Sequence, residues 1–199
     1  MAQDFEKPSG VIIRLFFLTV HIIIITGLWY LEDNNMDSKK KGKILLELGM
    51  IAISLAGLLL LIYFVMKVSF QNGTDSLSMT RQLGEQLAGR VFQQPTEEQI
   101  STTAWIIRYG AHLGLFFVVG FVTTFVSMVI FRRYYRIIGV IGAGFICYFL
   151  AYYTEYYKQF VEGRHFQQSD AALNWYGGVA GIICMIGSYF LNRLLVKLS

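Results

Sequence analysis

The sequence predicts an all-α integral membrane protein: a helical bundle of about five transmembrane helices, plus a short extracytoplasmic amphipathic helix. Three observations predict it. The chain is 55% hydrophobic and only 15% charged, with a mean hydropathy of +0.50, whereas a soluble domain carries about 25% charge. Five apolar segments, 11–31, 44–68, 103–131, 134–158 and 171–194, are each long enough for a bilayer core that takes about 20 helical residues. The basic residues cluster in particular connections, which is the mark of membrane topology and not of a nucleic-acid surface.

The first segment follows a short start, Met1–Gly10, with one Lys and two acids. It ends in Trp29-Tyr30 with no small-residue cleavage site, so it reads as a retained helix and not as a removed signal. Arg14 near its outer end snorkels, and His21 near its middle hydrogen-bonds a neighbouring helix. The second segment follows Lys39, Lys40, Lys41 and Lys43. Glu47 then pairs with Lys43 at i, i+4. A second basic cluster, Arg132, Arg133 and Arg136, lies between segments three and four, and Arg193 and Lys197 end the chain. With five spans these three regions share one side, which the positive-inside rule makes cytoplasmic; the nearby acids Glu32, Asp33 and Asp37 count for little. The N-terminus, residues 69–102 and the loop 159–170 then lie outside.

Residues 69–102 carry a turn at Asn72-Gly73. Leu77, Leu83, Leu87 and Val91 then recur at helical spacing among Arg81, Glu85 and Arg90. This predicts a surface helix, weakened by Gly84 and Gly89. Thr96 with Gln99 predicts a capping box, so the third segment's helix begins near Glu97 and enters the membrane near Trp105. Gly110/Gly114 and Gly177/Gly181 are GxxxG pairs, and Gly139, Gly142 and Gly144 punctuate segment four; such spacing favours close helix packing. Cys147 and Cys184 lie in apolar runs and read as small hydrophobes, with no zinc spacing. The organisation is thus an N-terminal two-helix part (1–68), an outer loop with a surface helix (69–102) and a three-helix part (103–199).

Three polar pairs at i, i+4 interrupt the last three segments: Arg108/His112, Glu155/Gln159 and Asp170/Asn174. Ionisable groups at membrane depth are costly and mark functional sites by default. The topology places all three pairs in one outer layer, with Arg164 and His165 in the loop between the last two helices. Each has a structural alternative: Asp170 as a helix cap, Asn174 as interhelical glue, Arg108 snorkelling, Glu155 pairing with Lys158 or Arg164 at the surface, and His112 as a buried, hydrogen-bonded histidine. Their coincidence on one side favours a site.

Arg108-x-x-x-His112, then Gly120, then Glu155-x-x-x-Gln159-Phe160-x-x-Gly163-Arg164, then Asp170-x-x-x-Asn174-x-x-Gly177-x-x-x-Gly181 resembles the pattern of the VanZ-like family of bacterial membrane proteins. The resemblance covers about residues 103–194. Phe116 stands where the family often has Tyr, and Glu162-Gly163 replaces the common Pro-Gly. The resemblance implies a cell-envelope role at the outer leaflet, in a family named for resistance to teicoplanin, a lipid-tailed glycopeptide. It supplies no reaction.

Two functions fit. In the first, Arg108, His112, Glu155, Gln159, Arg164, Asp170 and Asn174 bind the head group of a membrane lipid, a lipid-linked cell-wall precursor or a lipoglycopeptide. Antibiotic resistance is then one conceivable outcome. In the second, the protein is a membrane-embedded hydrolase or transferase acting on a lipid-linked substrate, with His112, Glu155 and Asp170 as acid/base groups. No Ser or Cys elbow points to a covalent mechanism, no metal-ligand spacing is recognised, and no cofactor is expected. Binding is favoured over catalysis.

Overall fold

The computed structural model describes residues 38–70, 73–131 and 136–198. Among these the chain forms five helices and no strand: α1 (Ser38–Ser69), α2 (Gly73–Val91), α3 (Glu97–Ile130), α4 (Arg136–Lys158) and α5 (Gln168–Leu198). All but α2 are long and apolar enough to cross a membrane. The first apolar segment, 11–31 with Arg14 and His21, lies outside the described residues, as do Glu32, Asp33, Asp37, Asn72, Arg132 and Arg133.

The chain divides into two compact units, Met1–Phe64 and Val65–Ser199. The described part of the first is the body of α1. It begins with the lysine run and continues as apolar sequence broken by Glu47, with Leu45, Leu46, Ile53 and Leu60 exposed. An all-round apolar helix of this kind suits an apolar surrounding.

The second unit is organised around α3, which packs against α2, α4 and, most extensively, α5. The capping box starts α3 as its sequence predicts: the Gln99 amide donates to Thr96 Oγ1 at 3.3 Å and the Thr96 amide donates to Gln99 Oε1 at 3.0 Å. Glu97 and Glu98 add favourable charge in the first turn. The helix stops at Phe131, whose amide donates to Ser127 O at 2.8 Å.

Alpha-helix spacing alone does not say which small residues meet. Gly110 and Gly114, one of the predicted pairs, have open space where a side chain would project. Gly120 instead lies against the Gly178 backbone, Gly177 against Leu113, and Gly181 against Phe117 and Phe121. A Cβ at Gly177 would stand 2.5 Å from Leu113 O, inside any tolerable contact. Cys147 of α4 fits against Gly178, where an added Cβ would meet its Cβ at 3.3 Å. Cys147 is buried and Cys184 is exposed.

The helix predicted over residues 77–91 forms as α2, but its leucines do not make the contact. Leu77, Leu83, Leu87 and Val91 are exposed, while Gly84 and Ala88 are buried. A Cβ at Gly84 would meet Ala104 Cβ at 2.9 Å and Ile100 O at 3.0 Å. Glycine lets α2 approach α3 closely, and the larger apolar residues are left facing outward. Arg81 ties the pair at the surface, bonding Glu97 at 3.0 Å and Glu85 at 3.1 Å.

The loop between α4 and α5 is a compact turn. The Val161 amide donates to Lys158 O at 3.0 Å, and the Arg164 amide to Val161 O at 3.1 Å. Gly163 takes φ 72°, a conformation that favours glycine. The Gly73 amide donates to Glu162 O at 3.2 Å, and Gly73 abuts the Gly163 carbonyl. This clasps the start of α2 to the turn.

Candidate functional site

Three successive helices bring charged and amide groups together at one end of the α3–α4–α5 bundle. Arg108 lies in the third turn of α3, Asp170 in the first turn of α5, and Glu155 and Lys158 in the last turn of α4. Because α4 runs opposite to α3 and α5, its C-terminal end meets their N-terminal ends. The order of the segments along the chain therefore makes the cluster.

Arg108 Nη2 donates to Asp170 Oδ2 at 2.9 Å and to Gln167 Oε1 at 3.4 Å. One turn deeper, His112 Nδ1 lies 2.8 Å from Asn174 Oδ1. Asn174 Nδ2 donates to Glu155 Oε1 at 3.3 Å. Lys158 Nζ donates to the same oxygen, and both partners are buried. An amide oxygen only accepts, so the Asn174 orientation set by Glu155 requires the proton of neutral His112 on Nδ1. Nε2 is left as a lone pair, 3.7 Å from Asp170 Oδ2. Among the described residues Glu155 Oε2, which is buried, has no hydrogen-bond partner.

Five of the seven sequence-predicted residues join this network: Arg108, His112, Glu155, Asp170 and Asn174. Asp170 is buried and bonded to Arg108. Asn174 does bridge helices, and it also fixes the His112 tautomer. Gln159 stands in the exposed turn just past the end of α4 and is apart from the network. Its predicted place is taken by Lys158, which is i+3 from Glu155 and almost wholly buried. The reading of Lys158 as a surface partner is thus half right: the pairing occurs, but inside. Gln167 is a second member that pattern reading missed. His165 is exposed in the loop.

Arg164 approaches from the turn. Its Nη1 donates to the backbone carbonyl of Ser69 at 3.2 Å. Burial, and then the nearby Arg108 charge, push its guanidinium below the usual arginine value, against the pull of Glu155 and Asp170. Among the described residues no carboxylate forms a salt bridge with it. Its charge is held close to a like charge without a counter-ion of its own.

His112, Glu155 and Asp170 each offer one ligand atom within 4.8 Å of the others, a set that satisfies the distance needs of a cation. The charges argue otherwise. Arg108 and Lys158 already neutralise Asp170 and Glu155, and Arg164 adds a further positive charge. A divalent ion would enter a set that already carries excess positive charge. An anion would relieve that excess.

Aromatic rings mark the same level. Tyr152 and Tyr156 stack within α4, while Tyr153 and Tyr157 in α4 and Trp105 and Tyr109 in α3 meet at a tilt, the last pair at 4.0 Å between centroids. Tyr and Trp are enriched where a bilayer meets water. At the other end of the bundle, Arg136 of α4 and Arg193 of α5 both face Tyr189. About nineteen residues separate Arg136 from Glu155, and Asn174 from Arg193. That is roughly 28 Å of helix, close to the ~30 Å of a hydrocarbon core. Comparison with models of protein families, with curated proteins and with solved structures finds no match.

Proposed function

We propose that the polar end of the α3–α4–α5 bundle binds the anionic head group of an amphipathic ligand at the extracytoplasmic face of the cell membrane. The ligand class is a membrane lipid, a lipid-linked cell-wall precursor or a lipoglycopeptide such as teicoplanin. Arg164 carries this reading. It is half-buried, bonded to a neutral carbonyl and repelled by Arg108. A phosphate or carboxylate between the two guanidinium groups removes that repulsion and suits their forked donors. The exposed apolar residues Trp105, Ile106 and Leu113 flank this end of α3 and offer a surface to an acyl tail. The resemblance to VanZ-like proteins points the same way. In this reading the segment 11–31 is a fifth span, the N-terminus is outside and the C-terminus is cytoplasmic.

A second reading has one observation in its favour. The His112–Asn174 bond leaves Nε2 of neutral His112 without a proton, 3.7 Å from Asp170 Oδ2. That is the preparation a general base needs. The protein would then be a hydrolase or transferase on a lipid-linked substrate, with Arg108 stabilising developing charge. Glu155, held by Lys158 and Asn174, would position the base and not exchange protons.

Binding of teicoplanin and of a lipid-linked diphosphate precursor to the purified chain in detergent separates these readings. Arg164→Ala weakens binding about tenfold or more, the scale of one lost charged hydrogen bond, while His112→Ala binds nearly as well as wild type. In the catalytic reading His112→Ala retains binding and loses all turnover of the precursor. If Arg108→Ala, Arg164→Ala and His112→Ala bind like wild type and nothing is turned over, the network is purely structural.

A further inference from the structure

We propose that Arg136, Tyr189 and Arg193 form a second site, at the opposite end of the bundle, that holds the phosphate of an anionic phospholipid. Arg136 opens α4 and Arg193 lies near the end of α5. Arg136 Nη1 donates to the Tyr189 hydroxyl, and its guanidinium carbon stands 4.8 Å from the centre of the Tyr189 ring. Arg193, one helical turn beyond Tyr189, stands 5.8 Å from the same centre. Two cations thus gather on one aromatic ring.

The ring attracts each guanidinium through its quadrupole, so it holds two like charges in one neighbourhood. Among the described residues neither arginine forms a salt bridge. Among the described residues Arg136 Nε, which is buried, has no hydrogen-bond partner. Two guanidinium groups gathered on one ring, with donors left over, are suited to a phosphate, whose oxygens accept from such forks. Lys197 follows Arg193 by one turn of α5, which adds a further cation on that helix end.

Position and flanks select a lipid over a free anion. The site lies about one hydrocarbon-core thickness along α4 and α5 from the Glu155–Asn174 level, which is head-group depth in the other leaflet. Ile137, Phe190 and Leu194 beside it are exposed, and acyl chains would cover them. On the sequence topology this is the cytoplasmic leaflet, where each basic side chain near the surface adds to attraction for acidic lipids. The site shares no residue with the Arg108–Arg164 site.

The test uses the full chain in mixed-lipid nanodiscs with photoactivatable phosphatidylglycerol or phosphatidylcholine, and maps labelled peptides by mass spectrometry. The acidic analogue labels residues 136–146 and 189–198 preferentially. Arg136→Gln with Arg193→Gln weakens that labelling by about thirtyfold, the expectation for two lost cations near an acidic surface. Arg136→Lys with Arg193→Lys keeps the charges and the fold but loses the planar stacking, and labelling falls a few-fold. Equal labelling by the two lipids overturns the proposal, as does wild-type labelling in the glutamine or the lysine variant. Displacement of the acidic lipid by inorganic phosphate alone overturns the lipid as occupant. Labelling confined to residues 104–112 and 155–174 would place the lipid at the first site, leaving that reading intact while this one fails.

Discussion

Helices α3 and α5 meet along two consecutive stretches with opposite chemistry. In the first, Arg108 faces Asp170 and His112 faces Asn174. In the second, beginning at the next residue of α3 and about one turn further along α5, Leu113, Phe117 and Gly120 lie backbone to backbone with Gly177, Gly178 and Gly181. The second stretch brings the helices together through close approach alone. Membrane helices associate well by such packing, and a hydrogen bond between them averages only about 0.6 kcal/mol. The polar stretch is therefore not needed to hold α3 on α5. It also carries the desolvation cost of buried ions, which an apolar pairing would avoid. A costly arrangement beside a sufficient cheap one is the physical argument for function at that end.

The largest effect should come from unbalancing the buried charges. Lys158→Ala leaves the buried Glu155 without its cation, with Oε2 already unpartnered among the described residues. Removing one member of a buried pair costs about 3–5 kcal/mol. Replacing both, as Lys158→Met with Glu155→Leu, should cost far less. Thermal unfolding of the purified protein in detergent, followed by tryptophan fluorescence, checks this. Equal losses in the single and double variants would mean that Lys158 acts through packing, and the contrast between the two stretches would collapse.

A smaller but still large effect belongs to the apolar stretch. A Cβ at Gly120 meets the Gly178 backbone, so no rotamer change relieves it and the helices must separate. Gly120→Val should destabilise by about 1–3 kcal/mol, the usual scale of overpacking. Gly114→Val, with open space beyond it, should unfold at the wild-type temperature. If Gly114→Val were the damaging change, the glycine pair seen in the sequence would be the true contact and the seam described above would be misplaced.

That contrast also shows what was legible in the sequence. Length and hydropathy locate α1, α3, α4 and α5 because those properties depend on composition along the chain. Thr96 and Gln99 locate the start of α3 because a capping box is local. The meeting of Arg108, His112, Glu155, Asp170 and Asn174 follows from each lying within a few turns of a helix end and from the alternating direction of successive helices. What stayed hidden is the rotation of each helix about its own axis. Spacings i+3 and i+4 share a face, so Lys158 and Gln159 compete equally on paper. The burial of Cys147, Leu150, Ala151, Thr154 and Glu155 turns α4 so that Lys158, i+4 from Thr154 and i+3 from Glu155, points inward, and Gln159 falls just past the last helical residue. The same ambiguity hid Gly120 behind the more conspicuous Gly110 and Gly114, and made the leucines of α2 look like its contact face.

Among changes that break a contact, the smallest effect on stability should come from Asn174→Leu, and it sharpens the comparison most. The change removes the bonds to His112 and Glu155 but leaves the glycine seam one turn away intact. Two interhelical hydrogen bonds of ordinary membrane strength amount to about 1 kcal/mol, a shift of a few degrees in unfolding temperature at most. His112, however, loses the acceptor that keeps its proton on Nδ1, so its ring is free to take either tautomer. In the binding reading, affinity for teicoplanin or the precursor barely changes, because Arg108 and Arg164 make the ionic contacts. In the catalytic reading, turnover falls steeply at nearly unchanged stability. Measured on one sample, unfolding temperature, affinity and turnover of this single variant separate a network that holds helices from one that holds a ligand and from one that moves a proton.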